Sequence, residues 1–227
     1  MNVKYLSLLT SGLSIFSLSA AVTYVDASVS NTVGAASGLV DWNDGSAGTG
    51  DGDADADGLW RFRGGFGNGG IWEASGSTAT VEDAVELVTS ATVPNSLYDV
   101  FVFYYAVNES GDYPIRAGLS SNPNANPVFD RAGNVGTAGG DALAELSFDV
   151  APPSGGESRT LLYGFVGQVE VTDGSLEVFI DDFPASTTGT SNDRTWYQGI
   201  GYEVIPEPST AVLGALGALA LLGRRRR

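Results

Sequence analysis

The sequence predicts an all-β fold, an antiparallel β-sandwich of the jelly-roll kind, on three observations. Several runs are rich in β-branched and aromatic residues and show the alternation typical of strands. Turn-forming residues recur at intervals of roughly 8–12 residues, as in sandwiches and barrels. No long stretch of the body keeps the 3.6-residue apolar period of an amphipathic helix. These signals predict about nine or ten strands.

The strand signals differ in the burial that they predict. Tyr98–Val107 is apolar on both alternating faces, so we expect a central strand that is buried on both sides. Gln168–Thr172 and Ser175–Asp181 alternate more cleanly, and Asp173-Gly174 between them predicts a two-residue hairpin turn. The other predicted strands are Thr23–Val29, Ala84–Thr89, Leu143–Val150, Thr160–Val166 and, as the last, Trp196–Ile205.

One segment leaves the type of element open. Within Ala79–Val88, the residues Val81, Ala84, Val85 and Val88 have helical spacing, so a two-turn helix is an alternative. The flanks are rich in Ser and Thr, and this favours the strand.

Composition removes whole classes of function. The 227 residues include no Cys and no His. Disulfides, Cys-ligated metal centres and His-dependent catalytic triads are therefore excluded. The chain has 27 acids against 11 bases, a formal net charge of −16, which disfavours nucleic acid as a partner. Carboxylates, Tyr, Ser with Lys, or a calcium site remain as routes to chemistry.

Residues 1–21 have the regions of a secretory signal peptide. Lys4 supplies the positive charge, residues 5–18 are apolar, and Ser19-Ala20-Ala21 places small residues at −3 and −1. We expect signal peptidase to cleave before Val22. A buried N-terminal helix is the alternative interpretation.

The other end of the sequence combines a short apolar run with a basic cluster. Ala211–Leu222 contains only Ala, Val, Leu and Gly, and Arg224–Arg227 follows. The 15 residues from Ser209 to Gly223 have a helical length of about 22 Å, shorter than a stable span needs. This length predicts transient membrane insertion with the arginines on the cytoplasmic side.

Pro206-Glu207-Pro208 precedes this run. The order of tripeptide, apolar helix and Arg cluster resembles the PEP-CTERM sorting signal of Gram-negative envelope proteins. The resemblance is limited to residues 206–227. It implies an exosortase-like processing enzyme that recognises Pro206, Glu207 and Pro208 and removes the tail. A plain membrane anchor is the alternative.

The predicted organisation is a signal peptide at 1–21, a single sandwich domain at 22–205 and a sorting signal at 206–227. Residues 22–208 hold all 27 acids but only six of the bases, all Arg, a formal charge of −21. Such a body should stay soluble and be repelled by anionic membranes.

An acidic loop resembles half of a calcium site. Asp53, Asp55, Asp57 and Gly58 match D-x-D-x-D-G, in which alternate carboxylates converge on a hard cation. Position 12 of the loop is Gly64 instead of Glu, so an EF-hand is excluded. Asp51, Asp41 or Asp44 could complete a non-helical Ca²⁺ site, and a solvated acidic loop is the alternative.

The segment from Trp60 to Trp72 concentrates aromatics and Gly. Aromatic faces beside Arg and Asn donors are typical of sugar-binding surfaces. The alternative is a core role for Trp60, Phe62, Trp72 and Trp196, which alternation favours at Trp60 and Phe62. The paired glycines predict turns at 64–65 and 69–70. The candidate ligand-binding residues are Arg61, Arg63, Asn68, Trp72 and Tyr197.

Asp181 and Asp182 are the obvious pair for glycoside hydrolysis. Neighbours on a strand point to opposite faces, so the two cannot line one cleft if the strand continues. Asp182-Phe183-Pro184 predicts that the strand stops there and leaves a solvated end. We therefore predict no catalytic residue.

The sequence as a whole predicts a secreted, non-catalytic β-sandwich, exported across the inner membrane to the envelope, cell surface or extracellular matrix. The resemblance adds extracellular polysaccharide as the leading binding partner. A purely structural surface protein and a carboxylate-dependent hydrolase are the alternatives.

Overall fold

The computed structural model describes residues 21–35, 40–41, 60–66, 69–75, 85–107, 114–131, 141–152, 159–182 and 194–206. The chain is all-β in these ranges, apart from two single 3-10 turns at Pro123–Ala125 and Leu143–Glu145. No helix in the same ranges is long and apolar enough to cross a membrane. The predicted signal and tail helices lie outside the described residues.

Fourteen strands are formed by the described residues. In chain order they are β1 (Val22–Asp26), β2 (Thr32–Gly34), β3 (Val40–Asp41), β4 (Trp60–Phe66), β5 (Gly69–Ser75), β6 (Leu87–Thr92), β7 (Ser96–Val107), β8 (Ile115–Gly118), β9 (Val128–Phe129), β10 (Asp141–Ala142), β11 (Phe148–Val150), β12 (Arg159–Val171), β13 (Ser175–Asp182) and β14 (Arg194–Val204).

The strands form two sheets. The large sheet has nine strands, with the path β10-β12-β7-β14-β5-β4-β3, and β1 also pairs with β14 and with β11. The small sheet has five strands in the order β2-β6-β13-β8-β9. Most neighbours are antiparallel, and only the β1–β11 and β3–β4 pairs are parallel. The predicted all-β sandwich is confirmed, and its jelly-roll type stays a prediction.

Strand β7 is buried on both faces from Val100 to Tyr105, as its sequence predicts. Tyr98, Val100, Val102 and Tyr104 point into the core between the sheets. The intervening side chains enter a second core on the outer face of the large sheet. The second core contains Val22, Tyr24, Ile71, Phe101, Phe103, Tyr105, Leu161, Tyr163 and Trp196. Segment 143–148 covers this face with Leu143, Leu146 and Phe148, so the predicted strand over Leu143–Val150 begins only at Phe148.

The predicted hairpin around Asp173-Gly174 is wrong, although the turn itself forms. Gly174 has φ +82°, which favours Gly, and the Ser175 N–H donates to Asp173 Oδ1 at 3.0 Å. The strands on either side do not pair with each other, because β12 belongs to the large sheet and β13 to the small one. Two cross-sheet connections run side by side here, since the Val93 N–H in the β6–β7 connection donates to the Gly174 carbonyl at 3.0 Å.

Two other local predictions need correction. Thr160–Val166 and Gln168–Thr172 belong to one strand, β12, in which a bulge at 165–167 shifts the register against β7. The paired glycines at 64–65 and 69–70 lie inside β4 and β5. At Gly70 a Cβ would overlap the Phe62 ring, so the missing side chain makes room for an aromatic ring above the strand.

The ambiguous segment is a strand at its described end. β6 covers Leu87–Thr92, and Val85 and Glu86 precede it without helical structure. Residues 79–84 lie outside the described ranges. The segment is extended from Leu87 because β6 pairs with both β13 and β2, and this pairing between strands outweighs the local helical spacing.

Candidate functional site

Three buried carboxylates meet where β6 begins and β13 ends. Glu86 lies just before β6, and its N–H donates to the Ile180 carbonyl at 3.0 Å. Asp181 and Asp182 are the last residues of β13. One carboxylate oxygen from each of the three lies within 4.8 Å of the others. We call Glu86, Asp181 and Asp182 the carboxylate cluster.

Donors from both sheets surround the carboxylate cluster. The indole Nε1–H of Trp60, on the large sheet, donates to Glu86 Oε2 at 2.6 Å. The backbone N–H of Asp182 donates to the same oxygen at 3.3 Å. Arg116 on β8 pairs with Asp181 Oδ2 at 3.0 Å. The Trp60–Glu86 bond therefore links the two sheets through a buried polar contact.

The electrostatics of the cluster favour retention of a proton. Burial, and after it the neighbouring carboxylates of Glu86 and Asp182, raise the pKa of Asp181 to about 8. The Arg116 guanidinium opposes this and lowers the pKa, but its contribution is smaller. The Asp181 carboxyl is thus largely protonated at neutral pH.

This arrangement has two chemical possibilities. Carboxylate oxygens suit hard cations such as Ca²⁺ or Mg²⁺, so these three residues could hold one. General acid–base catalysis requires the carboxyl groups to touch a substrate. Asp181 is 2% exposed and Asp182 is 7% exposed, and this burial favours a structural role for the pair.

The expected placement of Asp181 and Asp182 is wrong in two respects. The strand continues to Asp182, and both side chains are buried instead of solvated. Their carboxylates nevertheless come together. The ladder between β13 and β6 ends at the Ile180–Leu87 pair. Beyond it, β13 stays paired with β8 through Asp182, and on the β6 side the Asp182 N–H bonds to the Glu86 side chain.

Two of the candidate sugar-binding residues lie in the core. Trp72 and Tyr197 are both 0% exposed and belong to the core between the sheets. The Tyr197 hydroxyl donates to Thr89 Oγ1 at 2.6 Å, which is a second polar link between the sheets. Burial raises the Tyr197 pKa, so the hydroxyl stays neutral. Their burial favours a core role for both residues, which was the alternative for Trp72 alone.

The other candidates are placed only in part. Arg61 and Arg63 are β4 residues, opposite Glu73 and Ile71 of β5. Asn68 and the aspartates of the acidic loop, Asp51, Asp53, Asp55 and Asp57, lie outside the described residues. In the tripeptide, Pro206 is described and exposed, whereas Glu207 and Pro208 lie outside.

Glu86 is the cluster residue that sequence reasoning missed. It lies between Val85 and Leu87, which are 6% and 0% exposed. An acid between two apolar residues at a strand start was the available signal. The other two residues of the carboxylate cluster are almost 100 residues away in the chain, and Asp182 is separated from Glu86 by 96. Only the pairing of β6 with β13 brings them together.

Comparison with known proteins identifies the tail. A family model of the PEP-CTERM protein-sorting motif matches residues 204–227, which confirms the resemblance seen in the sequence. No curated protein and no solved structure matches the chain. The protein is an all-β sandwich that carries a PEP-CTERM sorting motif. The motif implies processing by an exosortase-type enzyme and export to the cell envelope or surface.

Proposed function

We propose that the chain is a non-catalytic β-sandwich protein that an exosortase-type enzyme releases from a transient membrane position to the cell surface or the extracellular matrix. The observation that carries this proposal is the PEP-CTERM motif at residues 204–227, which begins at the last residue of β14. The burial of the Asp181–Asp182 pair supports the non-catalytic part.

Replacement of Pro206, Glu207 and Pro208 by alanine tests the sorting role. We expect the tail to remain attached and the protein to accumulate in the membrane fraction. The measurement is the apparent mass and the location of the protein in fractionated cells that contain the processing enzyme. Unchanged mass and location would contradict the proposal. Arg131→Ala, an exposed residue outside the motif, is the control.

We further propose extracellular polysaccharide as the binding partner. The β4–β5 region, with Arg61 and Arg63 on one strand, is the candidate surface because Arg donors can bind sugar hydroxyls. Processed protein should be retained on at least one neutral or acidic polysaccharide of a glycan array, and Arg61→Ala/Arg63→Ala should lose retention. The absence of retention on every glycan would favour the purely structural alternative.

Calcium binding by the acidic loop is also proposed. Asp51, Asp53, Asp55 and Asp57 crowd like charges into a short segment, and a divalent cation relieves the repulsion. Calorimetry should detect heat on titration with millimolar Ca²⁺, and Asp53→Asn/Asp55→Asn should abolish it. Asp181→Asn separates this loop from the carboxylate cluster, since it should leave the heat unchanged.

A further inference from the structure

The tail leaves the folded body without a spacer. β14 ends at Val204, and the Ile205 N–H still donates to the Leu97 carbonyl of β7 at 2.9 Å. Pro206 follows at once and is exposed. The first residue of the tripeptide is therefore one residue beyond the last backbone hydrogen bond of the sheet.

This short connection limits the distance between a bound processing enzyme and the folded body. An extended chain covers at most about 3.6 Å per residue, so the whole tripeptide lies within about 10 Å of its last tie to the sheet. An enzyme that binds Pro206 to Pro208 is wider than this distance. It must therefore also touch the end of the sandwich from which the tail emerges.

The outer face of the large sheet at this end carries acidic side chains and an exposed leucine. Glu170 lies opposite Leu97, and Asp99 lies opposite Glu203 on the neighbouring strand. Leu97 is 38% exposed, Glu170 is exposed, and Asp99 and Glu203 are half-buried. We call Leu97, Asp99, Glu170 and Glu203 the tail-side patch.

Three of the described arginines lie away from the tail-side patch. Arg159 and Arg194 are the first residues of β12 and β14, at the ends of these strands remote from the tail. Arg116 lies beside Asp181, at the end of β13 remote from the turn at Gly174. The end of the body next to the sorting motif therefore carries acidic side chains together with two exposed apolar ones, Leu97 and Val204, which is 40% exposed.

We propose that the tail-side patch is a docking surface for the processing enzyme, and that it pairs with a basic rim around the cleft that receives the tripeptide. This rests on the proposed function, because it assumes that the tail is processed. Complementary charge at the rim of an interface accelerates encounter more than it tightens binding. The patch should therefore affect the rate of processing.

A matched pair of charge reversals tests the patch. Glu170→Lys changes the patch, and Glu177→Lys changes an exposed glutamate on β13 of the other sheet. We expect Glu170→Lys to slow tail removal by roughly three- to tenfold, the scale of electrostatic steering, and Glu177→Lys to leave the rate unchanged. The measurement is pulse–chase of the full chain in cells that contain the processing enzyme.

Leu97→Ser, compared with Val33→Ser on β2, tests the apolar contact in the same assay. Val33 is 52% exposed, so both substitutions remove an exposed apolar side chain from a strand. We expect only Leu97→Ser to slow tail removal. Equal rates for the two variants would remove Leu97 from the docking surface.

An inserted linker distinguishes an effect of Glu170→Lys on docking from an effect of the same substitution on folding. Insertion of a 20-residue Gly/Ser linker between Ile205 and Pro206 adds a mean reach of about 25 Å. In that background Glu170→Lys should be processed as fast as the unsubstituted linker chain. If the tail of Glu170→Lys is removed slowly both with and without the linker, the docking proposal is wrong. It is also wrong if removal is fast in both. If alanine at the tripeptide leaves processing intact, the proposed sorting function itself fails.

Discussion

At the residue scale, the carboxylate cluster shows how a charge is kept inside an apolar sandwich. A buried carboxylate is costly unless it is hydrogen-bonded, paired or protonated. The Glu86 carboxylate accepts bonds from Trp60 and from the Asp182 backbone. Asp181 is paired with Arg116 and also has a raised pKa. The cluster therefore combines hydrogen bonds, an ion pair and a raised pKa within a few ångströms.

The raised pKa of Asp181 makes stability depend on pH. The pKa of this carboxyl is raised to about 8 in the folded chain, from the ordinary aspartate value of 3.8. Between these values the folded state binds more protons than the unfolded state, so the free energy of unfolding contributed by Asp181 falls as pH rises from about 4 to about 8. Urea unfolding at about pH 5 and about pH 8 should show this decrease.

Asp181→Asn should flatten that pH dependence, because an amide does not titrate in this range. Glu177→Gln on the same strand is the control, since Glu177 is exposed and its substitution should preserve the slope. A wild-type slope in Asp181→Asn would contradict the assignment of the pH dependence to this carboxyl.

Single residues also show what sequence could predict about the site. The aspartate pair was visible in the sequence because its members are adjacent. Glu86 was not associated with the pair, because only the register of β6 against β13 brings it to Asp181. The burial of Trp72 agrees with the core role that was the alternative for it, whereas no core role had been predicted for Tyr197.

At the scale of elements, strand type was predictable and strand partner was not. β7 was recognisable because both of its faces are apolar, and this is a local property of its sequence. The residues Asp173-Gly174 predicted a turn correctly, but the sheet that receives the next strand is set by distant segments. β12 was divided in the prediction because a bulge at Gly167, with φ +143°, interrupts its alternation.

Close strand packing makes Gly199 of β14 irreplaceable. A Cβ at this position would overlap the Val25 carbonyl oxygen of β1, which is backbone and cannot turn away. We expect Gly199→Ala to lower the free energy of unfolding by about 3 kcal/mol, the upper range for overpacking. Urea denaturation monitored by tryptophan fluorescence measures this change.

Gly70→Ala is the matched comparison for that prediction. Its Cβ would meet the ring of Phe62, a side chain that can move. The expected cost is therefore smaller, about 1 kcal/mol. An equal loss in the free energy of unfolding for the two alanine variants would show that the β1–β14 contact is no more rigid than the contact of Gly70 with Phe62.

At the scale of the whole molecule, β7 joins two cores. Its alternate side chains belong to the core between the sheets and to the core on the outer face of the large sheet. Loss of order in either core exposes one face of the same strand. The described body should therefore unfold as one cooperative unit.

Substitutions in each core test this cooperativity. Leu176, which is 1% exposed, lies between the sheets, and Phe103, which is 0% exposed, lies in the outer core. Leu176→Ala and Phe103→Ala should each cost about 3–4 kcal/mol. Fluorescence and far-UV circular dichroism should give coincident urea transitions for both variants. Separate transitions in either variant would show that the cores are independent.

The pairing of β1 with β14 has a consequence for the order of events during synthesis and export. The Tyr24 hydroxyl donates to the Gln198 carbonyl, 174 residues further along the chain. β1 emerges from a translocation channel well before β14, because it lies far earlier in the chain. Contacts of such long range close slowly. The pairs of the large sheet that involve β14, with β1, β5 and β7, can therefore form only after β14 has crossed.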